Sequence, residues 1–271
     1  MPYASTTRWI ATIVCSVLIL SARAQRVTDQ NSHLWISVLG DHRILERWSL
    51  HTEAHVRQAD LGARPQQLLM RPAINFHLGA DLVFSAGYSY YRNYRYGAHP
   101  IKTGTWEHNV YQQMQITSRL GKVALQHRLR LEERFLAVMA ADPASETGFA
   151  FDRYDYRSRF RARFMATLPL GGHTRLGAGT WFLGAYDELF LDFGDEYRLD
   201  FMNQNRISGL LGYQFNAAGT FQVGYLLQTL QRPGAASGAD LVEANSTLHV
   251  LFTCNLDFRK PPVKEEPTKP E

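Results

Sequence analysis

The chain predicts an all-β fold: an antiparallel up-and-down transmembrane β-barrel of about ten strands, with twelve left open. Three observations carry that reading. In 122–136, Gln126, Arg128, Arg130, Glu132 and Arg134 alternate with Leu125, Leu129, Leu131 and Phe135. In 153–168, Arg153, Asp155, Arg157, Arg159, Arg161 and Arg163 alternate with Tyr156, Phe160, Ala162, Phe164 and Leu168. A period of two means strands with one apolar and one charged face. A water-facing sheet rarely needs so many arginines along one strand, whereas a barrel in lipid with a polar lumen does. Third, connections alternate between short turns and long loops from the third strand onward, as in barrels with short periplasmic turns and long outer loops.

Residues 1–24 read as a signal peptide. Arg8 precedes the apolar run 9–20, and Ser21-Ala22-Arg23-Ala24 supplies an Ala-x-Ala site, so cleavage is expected before Gln25. The apolar run is too short to cross a bilayer as a helix. Cleavage removes Arg8 and Arg23 and leaves 27 basic against 25 acidic residues, too small an excess to argue for nucleic acid. It also leaves Cys254 alone, so intrachain disulfides and cysteine-based zinc sites are excluded.

Residues 25–258 read as one barrel domain. Its strand candidates are 33–40, 46–57, 66–79, 82–95, 106–120, 122–138, 153–168, 173–188, 201–216, 219–231 and 243–258. Several exceed the usual globular length and suit a tilted span of the bilayer. Short turns fall at 79–81, 121, 170–172 and 216–218, and long loops at 96–105, 139–152, 189–200 and 232–242. With the C-terminus periplasmic the last strand runs downward, and counting back leaves 33–40 as the odd strand. It is therefore expected to be irregular or only partly paired. The last strand presents Leu248, Val250, Phe252, Cys254, Leu256 and Phe258 outward and ends on an aromatic, which suits insertion by the barrel-assembly machinery. Tyr88, Tyr90, Tyr91, Tyr94 and Tyr96 read as an interfacial girdle, with a sugar-binding platform as the rival. Residues 259–271 are charged and proline-rich, and should be disordered.

Four segments carry a family resemblance: 106–113 (WEHNVYQQ), 127–135 (HRLRLEERF), 187–191 (DELFL) and 203–206 (NQNR). With them the chain, over about 33–258, resembles family 2490 of the domains of unknown function. The resemblance implies a small outer-membrane barrel of a Gram-negative bacterium. It implies no biochemical role, and no catalytic residue carries over.

The inward groups Arg128, Arg130, Glu132, Arg134, Arg153, Asp155, Arg157, Arg159, Arg161, Arg163 and Arg206 form the candidate site. Arginine outnumbers lysine 24 to 5. Its planar fork suits ordered ion-pair ladders and anion recognition alike. The lumen therefore reads as a structural network or a ligand-binding interior. A narrow, porin-like, anion-preferring channel for a small anionic solute is the alternative, and an envelope hydrolase or lipid-modifying enzyme is a second. No Gly-x-Ser-x-Gly or His-Glu-x-x-His occurs, so no catalytic residues and no enzymatic role are expected. His51, Glu53 and His55 share one strand face and are weak metal candidates, with His77 inward on the next strand. No metal or other cofactor is expected. The expected partners are outer-membrane lipids, the assembly machinery and a small anionic solute, with no nucleic acid.

Overall fold

A computed structural model describes residues 26–98, 100–193, 202–232 and 240–259. The expected signal peptide, most of the expected tail and the loops 194–201 and 233–239 lie outside the described residues. The strands are β1 (Arg26–Arg43), β2 (Trp48–Ala59), β3 (Arg64–Met70), β4 (Ala73–Leu78), β5 (Leu82–Asn93) and β6 (Thr105–Leu120). They continue as β7 (Val123–Ala141), β8 (Phe149–Pro169), β9 (Thr180–Phe193), β10 (Met202–Gln214), β11 (Gly219–Arg232) and β12 (Asp240–Cys254).

β3 and β4 are two halves of one stave, since both pair with β2 and with β5. They part at Arg71-Pro72, where proline has no N–H to offer the ladder. The barrel thus has eleven staves, between the ten favoured from sequence and the twelve left open. Neighbours in sequence pair antiparallel around the wall, and β1 closes it by pairing antiparallel with β2 and parallel with β12. Region 33–40, expected to be irregular, belongs to a full strand of 18 residues. The parity difficulty resolves through this seam. Parallel pairing is only slightly weaker per residue, whereas an open edge would leave rows of backbone N–H and C=O groups unpaired in hydrocarbon.

The long strands overrun their sequence estimates. β7 has 19 residues and β8 has 21. β9 starts later than 173, at Thr180, because Gly179 takes a positive φ of 78° in the preceding turn. It then continues to Phe193, beyond the 188 expected.

Alternation sorts the side chains as anticipated. Leu129, Leu131 and Phe135 of β7, Phe164 and Leu168 of β8, and Leu248 and Phe252 of β12 are all exposed on the outer wall. Aromatics ring both ends of that apolar surface, as belts do at membrane interfaces. Trp181 meets Tyr213 at 4.9 Å and Phe221 meets Phe252 at 4.8 Å between ring centres near the short turns. Trp106 stacks on Phe151 near the long loops. The tyrosine cluster divides: Tyr88 faces outward, while Tyr91 is buried inside, and Tyr94 and Tyr96 line the interior. Two glycines make room for inward aromatics. A Cβ at Gly212 would sit 2.2 Å from the Phe182 ring, and one at Gly87 would sit 2.5 Å from Tyr111.

Candidate functional site

The inward face of β7 and β8 builds an ion-pair lattice across four strands, β6 to β9. Antiparallel register sets Glu132 opposite Arg159, and Arg130 opposite Arg161. Glu132 is fully buried. It accepts from Arg159 Nε at 2.7 Å and from Arg161 Nη1 at 2.7 Å. Arg161 turns its other edge to Glu188 of β9, with Nε at 3.0 Å and Nη2 at 2.7 Å. Arg128 meets the same carboxylate oxygen at 2.5 Å. Toward the loop end, Arg134 grips Glu107 with two parallel bonds of 2.7 and 2.8 Å and reaches Asp192 at 3.1 Å. Such two-pronged contacts are the strong form of charged hydrogen bond.

A second cluster sits on the opposite wall. Glu53 accepts from Arg71 Nη1 at 2.6 Å and hydrogen-bonds with His55 at 2.5 Å and His51 at 3.3 Å. Arg71 also donates to Ser89 and Tyr91. The weak metal candidates His51, Glu53 and His55 do share a face, but Glu53 is occupied by Arg71 and His55 by Ser37. Among the described residues no three or more such side chains are arranged to hold a metal. His77 is drawn away from them to Ser49.

The two walls enclose a cavity of about 720 Å³. Val83, Gln115 and Asn255 line it near the short turns, and Tyr96, Ile101 and Asn203 line it near the long loops. Residues 94–98 bend over the loop end: the Tyr96 hydroxyl donates to Glu243 at 2.9 Å and the Ala98 N–H to Asp29 at 3.3 Å. Ten arginines and five carboxylates line the cavity. Even with Glu132 counted, arginines exceed carboxylates by four among the described residues. Several of them bond neutral amides. Arg57 donates to Gln67 at 2.5 Å, Arg130 to Gln113 at 2.6 Å, and Arg163 to Gln126 at 2.8 Å. Arg206 bonds Gln204 at 2.6 Å once that amide is oriented to accept.

Of the residues nominated from sequence, Arg128, Arg130, Glu132, Arg134, Arg157, Arg159, Arg161, Arg163 and Arg206 gather at or behind this cavity wall. Arg153 and Asp155 do not. Arg153 is exposed beside Asp152, and Asp155 is paired with Arg157 at 3.0 Å on its own strand. β8 extends past the lumen here: Arg153 keeps its register opposite Val138, but at that height it is exposed and finds only Asp152 beside it. Glu188 and Asp192 are not among the residues the sequence nominates: Asp192 lies beyond the expected end of the strand at 188, and Glu188 is its last residue. The alternation of Glu188, Phe190 and Asp192 with Leu189, Leu191 and Phe193 held the signal. Trp35 lies in 33–40, whose expected irregularity gives its side chains no assigned face, whereas the full strand β1 turns it inward.

The chain is similar to a solved structure described as "NanC porin structure in rhombohedral crystal form", at 13% identity and a TM-score of 0.46, covering 80% of this chain and 90% of that one. No curated protein matches the chain. The model of a family of proteins of unknown function, DUF2490, matches residues 32–238, and this barrel with its arginine-lined interior belongs to that family.

Proposed function

We propose that this barrel lies in the outer membrane of a Gram-negative cell and that its lumen is a narrow, anion-preferring passage for small solutes. The cavity carries the reading: its lining runs from the short-turn end to the loop end, and arginines exceed carboxylates there by four even with the buried Glu132 counted. Arginine stays protonated at any physiological pH, so the excess is permanent. Fixed charges of one sign around a low-dielectric constriction select ions of the other. The ion-pair lattice is the scaffold of the passage, holding the remaining guanidiniums in place.

The outward alternation of Leu248, Val250 and Phe252 supports assembly by the barrel-assembly machinery, and the apolar outer wall supports contact with membrane lipids. The proposal includes no catalysis, and release of fatty acid from phospholipid by the purified barrel would count against it. In planar bilayers, the mature protein should give small current steps whose reversal potential in a salt gradient has the sign of anion selectivity. Arg163→Glu should move that potential toward cation selectivity, since it reverses a charge on the cavity wall. Absence of steps from correctly folded protein would refute the passage.

A further inference from the structure

Two guanidiniums in the lumen converge on one indole. Arg57 of β2 lies with Cζ 4.0 Å from the centre of the Trp35 ring, and Arg206 of β10 lies 5.1 Å from it. Phe190 backs Arg206 at 4.7 Å. Trp35 is itself fixed, its Nε1–H donating to Gln66 at 2.9 Å. The strands explain the encounter: Trp35 and Arg57 are cross-strand partners on β1 and β2, while Arg206 reaches in from the opposite side of β12.

Neither guanidinium has a carboxylate within ion-pair distance among the described residues, unlike Arg71, Arg134, Arg159 and Arg161. Their closest polar partners are the neutral amides of Gln67 and Gln204. A glutamine satisfies a hydrogen bond without cancelling the charge. Arg57 is buried, and its Nε has no hydrogen-bond partner. Two like charges with only neutral partners at hydrogen-bond distance repel each other, and aromatic faces recover only part of that. For most other arginines of this lumen, carboxylates supply the missing charge. Here the position is left to something that enters the cavity.

We propose that Arg57, Arg206 and Trp35 form a binding site for a small oxyanion carrying two negative charges, the chemistry shared by inorganic phosphate and short dicarboxylates. The inference rests on the passage reading for how the anion arrives, but binding itself does not require conduction. Two guanidinium forks offer several parallel N–H donors, which match the oxygens of a carboxylate or phosphate. The indole and the Phe190 ring hold the forks in position, so little conformational freedom is lost on binding.

The test is titration calorimetry on the full mature barrel in detergent, with phosphate in one series and succinate in another, each against a chloride background. Saturable binding is expected for at least one. Whichever binds identifies the source, and saturation by neither overturns the site. Arg57→Gln and Arg206→Gln should each weaken binding about tenfold or more, by loss of charged hydrogen bonds. Arg57→Lys keeps the charge and loses the fork, so it should also weaken binding. If the lysine variant binds as the wild type does, the lumen attracts anions only diffusely and the site is refuted. The bound anion should also raise the urea midpoint of the wild type by mass action, and should not raise that of folded Arg206→Gln. Bilayer currents on the same proteins separate the two claims. Anion-selective steps without saturable binding sink the site alone, and saturable binding without steps sinks the passage alone.

Discussion

Replacing Glu132 by glutamine deletes one negative charge from the most enclosed point of the lattice. Glu132 has no solvent exposure. Its carboxylate takes Arg159 at 2.6 Å on one oxygen and Arg161 at 2.7 Å on the other, with Arg130 at 3.7 Å. Glutamine keeps the shape and one acceptor oxygen, but it turns an NH₂ group toward one of those guanidiniums. Arg161 retains Glu188 at 2.7 Å, whereas Arg159 is left with Asp192 at 3.9 Å. The variant therefore strands roughly one buried guanidinium, and removing one partner of a buried pair costs about 3–5 kcal/mol. Urea unfolding in detergent micelles, followed by the loss of heat-modifiable mobility, measures this. Glu133→Gln is the matched control: the same chemistry one residue along, on the outer face beside Tyr156 and Ser158. It should shift stability by less than about 1 kcal/mol. Arg159→Met should then cost less in the Glu132→Gln background than in the wild type, because the two residues are coupled. Equal stability of Glu132→Gln and wild type would refute the reasoning, since the lattice would then carry no weight.

Three further outcomes are expected. On the outer wall, Leu129→Arg or Phe160→Arg should destabilise the barrel by about 2–4 kcal/mol near the bilayer midplane, while Arg153→Ala on the exposed loop end should be close to neutral by the same unfolding assay. Gly212→Val should overpack against Phe182 and cost about 1–3 kcal/mol, and Phe182→Ala in the same chain should recover part of it. In a Cys254→Ser background, Ile36→Cys with Val250→Cys should cross-link on oxidation, because those residues are register partners across the parallel seam; a barrel closed by β2 against β12 would leave them apart and unlinked.

Much of this architecture was legible in the chain because membrane barrels obey an unusually strict rule. Each strand must keep one face apolar for lipid and the other polar for the lumen. That period of two placed Arg128, Arg130, Glu132, Arg134, Arg157, Arg159, Arg161 and Arg163 on the interior without any tertiary information. It could not show who pairs with whom. Register between strands decides that Arg161 reaches Glu188 and that Arg134 takes Glu107 and Asp192, and register is a property of the wall as a whole. The ends of elements were equally hidden. β9 continues through Asp192 because β8 offers it Arg159 as partner there, which no local preference of Glu188-Leu189-Phe190 declares.

Closure was the furthest from sequence. Nothing local in 26–43 says that the strand will lie parallel to 240–254 at the far end of the chain. The pairing arises because an odd number of staves must still leave no edge open to lipid. The β1–β2 pairing brings Trp35 against Arg57, and closure brings Arg206 around to the same ring. Composition and the period of two together dictated that the lumen would be rich in arginine. Only the closed wall decided which arginines meet carboxylates and which two are left facing one indole, because charge compensation depends on distances between strands that are remote in the chain.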